Sequence, residues 1–291
     1  MIQRERIADN VYSFQSDVYA QVNAGAIIGP DWAAVIDTLP YPEETLAIRD
    51  FIEQELKVPI RYVILTHYHA DHSWGACYFP NAILISSGLT RQLLEEKGIS
   101  SLKAAKEQQN NLFKDSFIVL PQMTFSEGKL MMKVGKKTLS LMKLPGHSKD
   151  GIGILIEEDR VLFSGDIFMP IPFIVDGDID EMIAYLKQIG KMSLENIVQG
   201  HGEVVLRGEI EETVKDHLAY LAALKKYVRQ ASRRKYAGEF LEGIDIAKCG
   251  KSRVLLGGLA PELNKRNLFA LYRKIYHEEP QYGPDEADAY Y

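Results

Sequence analysis

Short apolar runs separated by polar segments predict a chain of many strands with helices between them. Runs rich in β-branched and aromatic residues predict strands at 11–14, 19–28, 33–36 and 62–65. Pro42 begins a segment whose apolar residues recur at helical spacing, which is typical of a helix packed on a sheet. The first part of the chain therefore predicts hairpin strands followed by a helix and another strand.

The same alternation continues to residue 201. A polar segment at 89–115 predicts helix, and it is followed by predicted strands at 117–125, 129–134, 137–144, 152–156 and 160–163. Asp178 is expected to cap the next helix, and Gly190 to mark its end. The buried stripe of that helix is predicted to contain Ile179, Met182, Ile183, Leu186 and Ile189.

The pattern changes after residue 205. Two amphipathic helices are predicted at 209–230 and 261–275, and a Pro- and Gly-containing acidic tail begins at about 278. We therefore predict a domain at 1–205 and a helical C-terminal extension at 206–291 that packs on it. Whether this extension covers the active site or forms a dimer contact is left open, so a homodimer remains an alternative.

A cluster of metal-binding residue types follows the strand at 62–65. His67, His69, Asp71 and His72 lie within six positions, and three of the seven histidines are among them. Imidazole nitrogens and carboxylate oxygens are preferred ligands of zinc and similar divalent ions. A loop leaving a strand end could direct some of these side chains at one ion and the rest at a second.

Three more candidate ligands follow predicted strands later in the chain. His147, Asp166 and His201 each follow an apolar run and have a glycine beside them, which allows a tight turn. Together with the first cluster they make seven ligands, enough for two metals with open positions. His217 lies in a helical pattern and His277 in a polar segment, so both are predicted to be packing or surface residues.

These motifs, in this order, resemble the metallo-β-lactamase superfamily of dinuclear hydrolases. The resemblance covers roughly residues 8–205 and implies an α+β fold, a four-layer αββα sandwich. It also implies a role for each ligand. One metal would be held by His67, His69 and His147, and the other by Asp71, His72 and His201. Asp166 would bridge the two, and Asp37 would support the metal loop without binding metal itself.

Two Zn²⁺ ions per chain are the expected cofactors, with Fe or Mn as alternatives. A hydroxide formed on the metals would attack a carbonyl group, and Asp71 would carry the proton to the leaving group. A Gly-x-Ser-x-Gly motif is absent, which disfavours a serine nucleophile. The expected activity is therefore hydrolysis of a carbonyl ester, thioester or lactone, because Asp166 and His72 differ from the residues that many true β-lactamases carry there.

Alternatives from other classes remain open. β-Lactam cleavage is one, and a phosphodiesterase or ribonuclease sharing the metal motif is another. A persulfide dioxygenase with a single iron uses part of the same ligand set. Metal analysis and substrate assays would separate these activities.

Composition agrees with a soluble globular enzyme, and the expected partner is a small-molecule substrate. Of 291 residues, 46% are hydrophobic and 25% charged, as in ordinary globular proteins. The net charge of −6 argues against nucleic acid as a partner. No apolar run approaches membrane-spanning length, and no signal peptide is evident at the start, so no membrane association is expected. With only two cysteines, a reducing cytoplasm is the expected location.

Overall fold

The first of two β-sheets forms from the N-terminal part of the chain in a computed structural model that describes residues 2–108 and 111–283. Its seven strands lie in sequence order, antiparallel from the first to the fourth and parallel from the fourth to the seventh. The strands are β1 (Ile2–Ala8), β2 (Val11–Ser16), β3 (Asn23–Ile28), β4 (Ala33–Ile36), β5 (Ile60–Ile64), β6 (Ile83–Ser87) and β7 (Met123–Phe125).

The second sheet has six strands and is antiparallel except for one parallel pair, β11 and β12. Its strands are β8 (Lys129–Val134), β9 (Lys137–Lys143), β10 (Ile152–Ile156), β11 (Val161–Gly165), β12 (Asn196–Gln199) and β13 (Val205–Leu206). Because β9 and β11 both lie antiparallel to β10, the strands β9, β11 and β12 all end at the same edge of this sheet.

The helices lie between and after the strands. They are α1 (Pro42–Asp50), α2 (Ala70–Ser73), α3 (Gly88–Leu93), α4 (Ile99–Gln108), α5 (Ile179–Ile189), α6 (Ile210–Ala231), α7 (Ala237–Glu242) and α8 (Ala260–Tyr276). Asp178 caps α5 as predicted, because its carboxylate accepts hydrogen bonds from the backbone N–H groups of Asp180 and Glu181.

Three apolar clusters show how these elements stack. The central cluster joins the facing sides of the two sheets, for example Ile36 and Ile64 with Leu141 and Phe163. A second cluster packs α1 on the outer face of the first sheet, and a third packs α5, α6, α7 and α8 beyond the outer face of the second. The layers are therefore helix, sheet, sheet and helix, which confirms the predicted αββα sandwich with C-terminal helices.

The C-terminal helices share their apolar cluster with the second sheet. Tyr220 and Leu224 of α6 and Leu268 of α8 belong to the same buried cluster as Leu186 of α5 and Leu162 of β11. In the described part of the chain, no helix combines the length and apolarity needed to span a bilayer.

Some predicted element boundaries were wrong. The strand predicted at 19–28 begins at Asn23, because Ala20 and Gln21 have left-handed backbone angles that a strand cannot contain. The strand predicted at 117–125 is limited to β7. The helix predicted at 89–115 ends at Gln108, and residues 111–115 form turns. Residues 109–110 lie outside the described residues. Of the predicted acidic tail, residues 284–291 also lie outside them.

Candidate metal centre

All seven predicted ligands lie where strands of the two sheets end. His67 and His69 belong to the loop after β5, and Asp71 and His72 lie on the single-turn helix α2. The second sheet contributes the other three ligands from the loops after β9, β11 and β12, namely His147, Asp166 and His201. Parallel strands bring their carboxyl ends to one edge, so residues distant in sequence meet there.

The side chains form two groups, each with ligand atoms within 4.8 Å of one another. The first contains His67, His69, His147 and Asp166, and the second contains Asp71, His72 and His201. The groups contain the two sets of three that the resemblance implied, and Asp166 falls in the first group. Imidazole nitrogens combined with a carboxylate, as in each group, are donors that zinc and similar ions prefer.

Asp166 lies between the two groups. Its Oδ2 atom is 3.3 Å from Nε2 of His147 and 3.4 Å from Nε2 of His201. Its Oδ1 atom is 3.1 Å from Nε2 of His72. The backbone at Gly200 lies against the Asp166 carboxylate, and only glycine fits there because a Cβ atom would collide with that carboxylate. Asp166 is therefore the residue that contacts both groups.

Backbone carbonyl groups anchor the rings of His147 and His201. Nδ1 of His147 lies 2.6 Å from the carbonyl oxygen of Phe173, and Nδ1 of His201 lies 2.9 Å from that of Ala20. A carbonyl oxygen only accepts hydrogen bonds, so each Nδ1 carries a proton. Nε2 is then the nitrogen that faces the other candidate ligands, 2.9 Å from Nδ1 of His69 for His147 and 3.3 Å from Oδ2 of Asp71 for His201.

Several buried polar atoms in the centre have no hydrogen-bond partner. Such atoms are Nε2 of His67 and His69. Nε2 of His72 and Oδ1 of Asp166 lie 3.1 Å apart but not in the geometry of a hydrogen bond, and neither has another partner. Leaving buried polar groups unpaired is costly unless another partner satisfies them. Nitrogen and oxygen atoms that converge in this way, without partners of their own, fit the coordination of divalent metal ions.

Asp37 fixes the loop that carries four of the ligands. Its Oδ1 accepts a hydrogen bond from the backbone N–H of Thr66 at 2.7 Å. Its Oδ2 accepts from the Thr66 hydroxyl at 2.6 Å and lies 2.8 Å from Nδ1 of His72. Asp37 is 3% exposed and has a φ of 56°, a conformation that Asp tolerates better than most residues.

The electrostatics of the two groups differ in the protein without metal. Burial and the neighbouring His147 lower the pKa of His69 to about 4. Burial opposes the charge on His201, yet Asp166 and Asp71 raise its pKa to about 10. His69 is thus neutral and ready to bind a cation, whereas a cation that binds His201 has to displace a proton.

A sequence profile of the metallo-beta-lactamase superfamily matches residues 19–230. The chain belongs to this superfamily. Solved relatives agree on the fold: a metallo-beta-lactamase from Pontibacter korlensis superposes with a TM-score of 0.61 at 18% identity, covering 75% of this chain and 99% of that one. A metallo-beta-lactamase from Hirschia baltica gives a TM-score of 0.56 at 18% identity, covering 74% and 96%.

Curated relatives match at somewhat higher identity but over a smaller share of the chain. The chain is 24% identical over 161 residues to "Beta-lactamase-like protein 2 homolog" of Caenorhabditis elegans, covering 55% of this chain and 48% of that protein. It is 22% identical over 187 residues to "Thioesterase pkgB" of Emericella nidulans, covering 64% and 46%. The match thus spans about half the length of these proteins.

Two acidic residues beside the candidate metal centre were not among the predicted site residues. Asp150 is 2% exposed, and its Oδ2 accepts a hydrogen bond from the backbone N–H of Tyr68, between two ligands. Asp176 accepts from the Tyr68 hydroxyl at 3.0 Å and from Lys97 at 3.2 Å. The position of Asp150 three residues after His147 was the available signal, since loop acids near ligands often orient them.

A cavity of about 450 Å³ opens over the metal centre. Ligands form its floor, including Asp71, His147 and His201, and its walls are mainly apolar. The C-terminal part of the chain contributes to these walls with Leu256, Leu259, Glu262, Leu263 and Arg266. Tyr19 also lines the cavity, and the nearby Asp71 carboxylate together with burial raises its pKa to about 12. Its hydroxyl therefore stays protonated and can donate a hydrogen bond.

The two remaining histidines lie outside both ligand groups. His217 is buried in α6, stacks on Phe168 with ring centroids 4.7 Å apart, and has its Nδ1 3.1 Å from Nζ of Lys251. His277 ends α8 with a left-handed backbone conformation. Among the described residues, neither belongs to a group of potential metal ligands.

Proposed function

We propose that the protein is a dinuclear zinc hydrolase that cleaves a carbonyl ester, thioester or lactone. The observation that carries this proposal is the convergence of seven histidine and aspartate side chains, five of them buried and several with unpaired donor atoms. Five of the seven also line one cavity with mainly apolar walls. When bound, divalent ions lower the pKa of water toward neutrality and polarise a carbonyl oxygen. The first group would hold one ion and the second another, with Asp166 shared between them.

The cavity lining supports hydrolysis without a covalent intermediate. Within the described residues, no serine or cysteine lines this cavity. Cys77 and Cys249 are buried elsewhere as free thiols, and burial raises the pKa of each. Unpaired thiols also fit a reducing cytoplasm, which we propose as the location.

Asp71 is the carboxylate best placed to move a proton. Both Asp71 and Asp166 line the cavity, but the side chain of Asp71 is 15% exposed and that of Asp166 only 5%, so Asp71 is the more accessible of the two. Burial opposes ionisation, but His72 and His201 lower the pKa of Asp71 to about 2, so the carboxylate is ionised. Its Oδ2 lies 3.3 Å from Nε2 of His201, which leaves the other oxygen to face the substrate.

The apolar walls favour acyl substrates over phosphodiesters. Leu259, Leu263, Met169 and Phe173 surround the space above the ligands, and Arg266 is paired with Glu262 at 2.9 Å. Such a lining suits an acyl chain and offers little excess positive charge to a polyanion. The name of one relative, "Thioesterase pkgB", points to the same substrate class.

The Asp71→Asn variant tests the mechanism. An amide oxygen still coordinates weakly, so some metal should remain, while loss of proton transfer should cut kcat about 10²–10⁴-fold and change KM little. Elemental analysis of metal content and kinetics on thioester, lactone, cephalosporin and bis(p-nitrophenyl) phosphate substrates are the measurements. Asp176→Asn, which alters a nearby acid outside both ligand groups, is the matched control.

Near-normal turnover in Asp71→Asn, or full activity after exhaustive chelation, would contradict the mechanism. Preferred cleavage of the phosphodiester would instead assign the protein as a phosphodiesterase, and preferred cleavage of cephalosporin as a β-lactamase. Iron as the bound metal at one ion per chain, with oxygen consumption, would assign a dioxygenase.

A further inference from the structure

A second cavity lies behind the one over the metal centre. It has a volume of about 800 Å³ and is lined by loop residues after β12, by α6 and by the segment before α8. Its polar lining includes Glu209, Glu212, Asp216, His217 and Lys251. None of the seven proposed ligands lines it, so the two cavities are chemically different.

The wall between the two cavities is thin. Ala20, Met169 and His201 line the cavity over the metals, while the residues that follow them, Gln21, Pro170 and Gly202, line the second cavity. At these three points one layer of backbone separates the spaces. Leu256 is the only described residue that lines both cavities, so at this point a single side chain forms the wall.

The backbone around Leu256 is unusual. Leu256 has φ 53° and ψ 43°, and Gly257 and Gly258 also have positive φ values of 64° and 93°. A left-handed conformation is unfavourable for leucine and persists only where the surroundings hold it. The Leu256 side chain is nevertheless 4% exposed, so the strained turn directs it into the protein.

We propose that Leu256 determines the length of the acyl group that the enzyme accepts, by closing the far end of the cavity over the metals. This inference rests on the proposed acyl hydrolase function. With Leu256 in place, the acyl chain is confined to the cavity of about 450 Å³. A smaller residue would join this space to the second cavity and admit longer chains.

The charge of the second cavity determines which of the longer acyl chains it would bind. Glu203, Glu209, Glu212 and Asp216 outnumber the single cation Lys251, which is itself paired with Asp216. An acyl chain with a positively charged end would therefore be stabilised there, whereas a purely apolar end would be placed among carboxylates. The opened enzyme should prefer the charged chain.

The Leu256→Gly variant is the direct test. Glycine adopts positive φ without strain, so the backbone should be kept while the side chain is removed. The substrates are p-nitrophenyl esters of butyrate, octanoate and 8-(trimethylammonio)octanoate. We expect the kcat/KM ratio of the trimethylammonio ester to the butyrate ester to rise at least tenfold, and the octanoate ratio to rise less.

Leu255→Ala is the matched control, because Leu255 lines the second cavity but not the cavity over the metals. It enlarges the second cavity without joining the two, so the ratios should stay within about threefold of the wild type. Leu256→Phe should shift preference toward butyrate and provides a second arm if the glycine variant does not fold. Unchanged ratios in a folded Leu256→Gly or Leu256→Phe variant, or an equal shift in Leu255→Ala, would overturn the proposal.

A structural readout separates this proposal from the proposed function. Crystals of Leu256→Gly soaked with 8-(trimethylammonio)octanoate should show the chain extending past position 256 into the second cavity, and wild-type crystals should not. A chain confined to the first cavity in the variant would refute the role of Leu256. If the wild type hydrolyses none of the carbonyl esters, the hydrolase assignment fails, and the crystals still decide whether Leu256 forms the wall.

Discussion

Replacing Asp37 should weaken metal binding although Asp37 is not itself one of the proposed ligands. Its carboxylate accepts three hydrogen bonds, from the Thr66 backbone, the Thr66 hydroxyl and His72, at 2.6–2.8 Å. A hydrogen bond to a charged group contributes about 1.5–3 kcal/mol, and a buried donor left unpaired costs about 1–3 kcal/mol. Removing the carboxylate in Asp37→Ala should therefore cost roughly 3–6 kcal/mol of unfolding free energy.

Part of this loss of unfolding free energy is offset because the variant no longer has to bury a carboxylate. Desolvation raises the pKa of Asp37 despite the opposing effect of His72 and Thr66, so the buried carboxylate itself carries an unfavourable free energy. The lower half of that range, about 3–4 kcal/mol, is thus the expected result for Asp37→Ala. Asp37→Asn keeps the left-handed conformation and one acceptor for the Thr66 N–H, so it should lose about 2 kcal/mol.

Two measurements check this prediction. Urea unfolding in the presence of a chelator gives the free energy without a contribution from metal. Competition with a zinc-binding dye should show affinity about 10–100-fold weaker in both variants, because His72 loses the partner that orients it. An Asp37→Asn protein with the wild-type urea midpoint and zinc affinity within twofold of the wild type would refute the reasoning.

Further predictions concern the shared ligand, the extension and a buried histidine. Asp166→Ala should lower metal content in both groups, measured by elemental analysis, and loss from one group alone would show that it does not bridge. Deletion of residues 206–291 should expose the apolar cluster around α5 and lower the unfolding midpoint or broaden substrate tolerance; a truncated protein unchanged in both would contradict this. Burial and the adjacent Lys251 hold the pKa of His217 well below its ordinary value of 6.5, so the unfolded state takes up a proton that the folded state does not. Stability should consequently fall by about 1 kcal/mol between pH 7 and pH 5.5. In His217→Gln the urea midpoint should lose that part of its dependence on pH. An unchanged pH dependence of the midpoint would argue against this role of His217.

The sequence by itself predicted the seven candidate ligands, and its resemblance to the superfamily predicted the layer architecture. The spacing of His67, His69, Asp71 and His72 after an apolar strand is local information, because a loop of a few residues can bring those side chains together whatever surrounds it. Helical and strand periodicity likewise reports local burial, and the cap at Asp178 was predicted from its own neighbours. These features depend on few distant contacts.

Strand boundaries near the site depended on tertiary contacts. The chain at 19–22 has the composition of a strand, yet Ala20 and Gln21 turn so that the Ala20 carbonyl can accept a hydrogen bond from His201, 181 residues away. Local propensity contains no information about such a partner. Asp150 was missed for the same reason, since its role follows from the proximity of Tyr68 across 82 residues.

The distances between the candidate ligands and the shape of the cavity were decided only by the tertiary structure. Sequence spacing placed His147, Asp166 and His201 at strand ends, but their distances follow from strands of one sheet ending at the same edge. The wall formed by Leu256 arises where a strained turn of the C-terminal extension meets the loops after β11 and β12. The sequence shows the residue types directly, whereas the space between elements is set by the close packing of residues far apart in sequence.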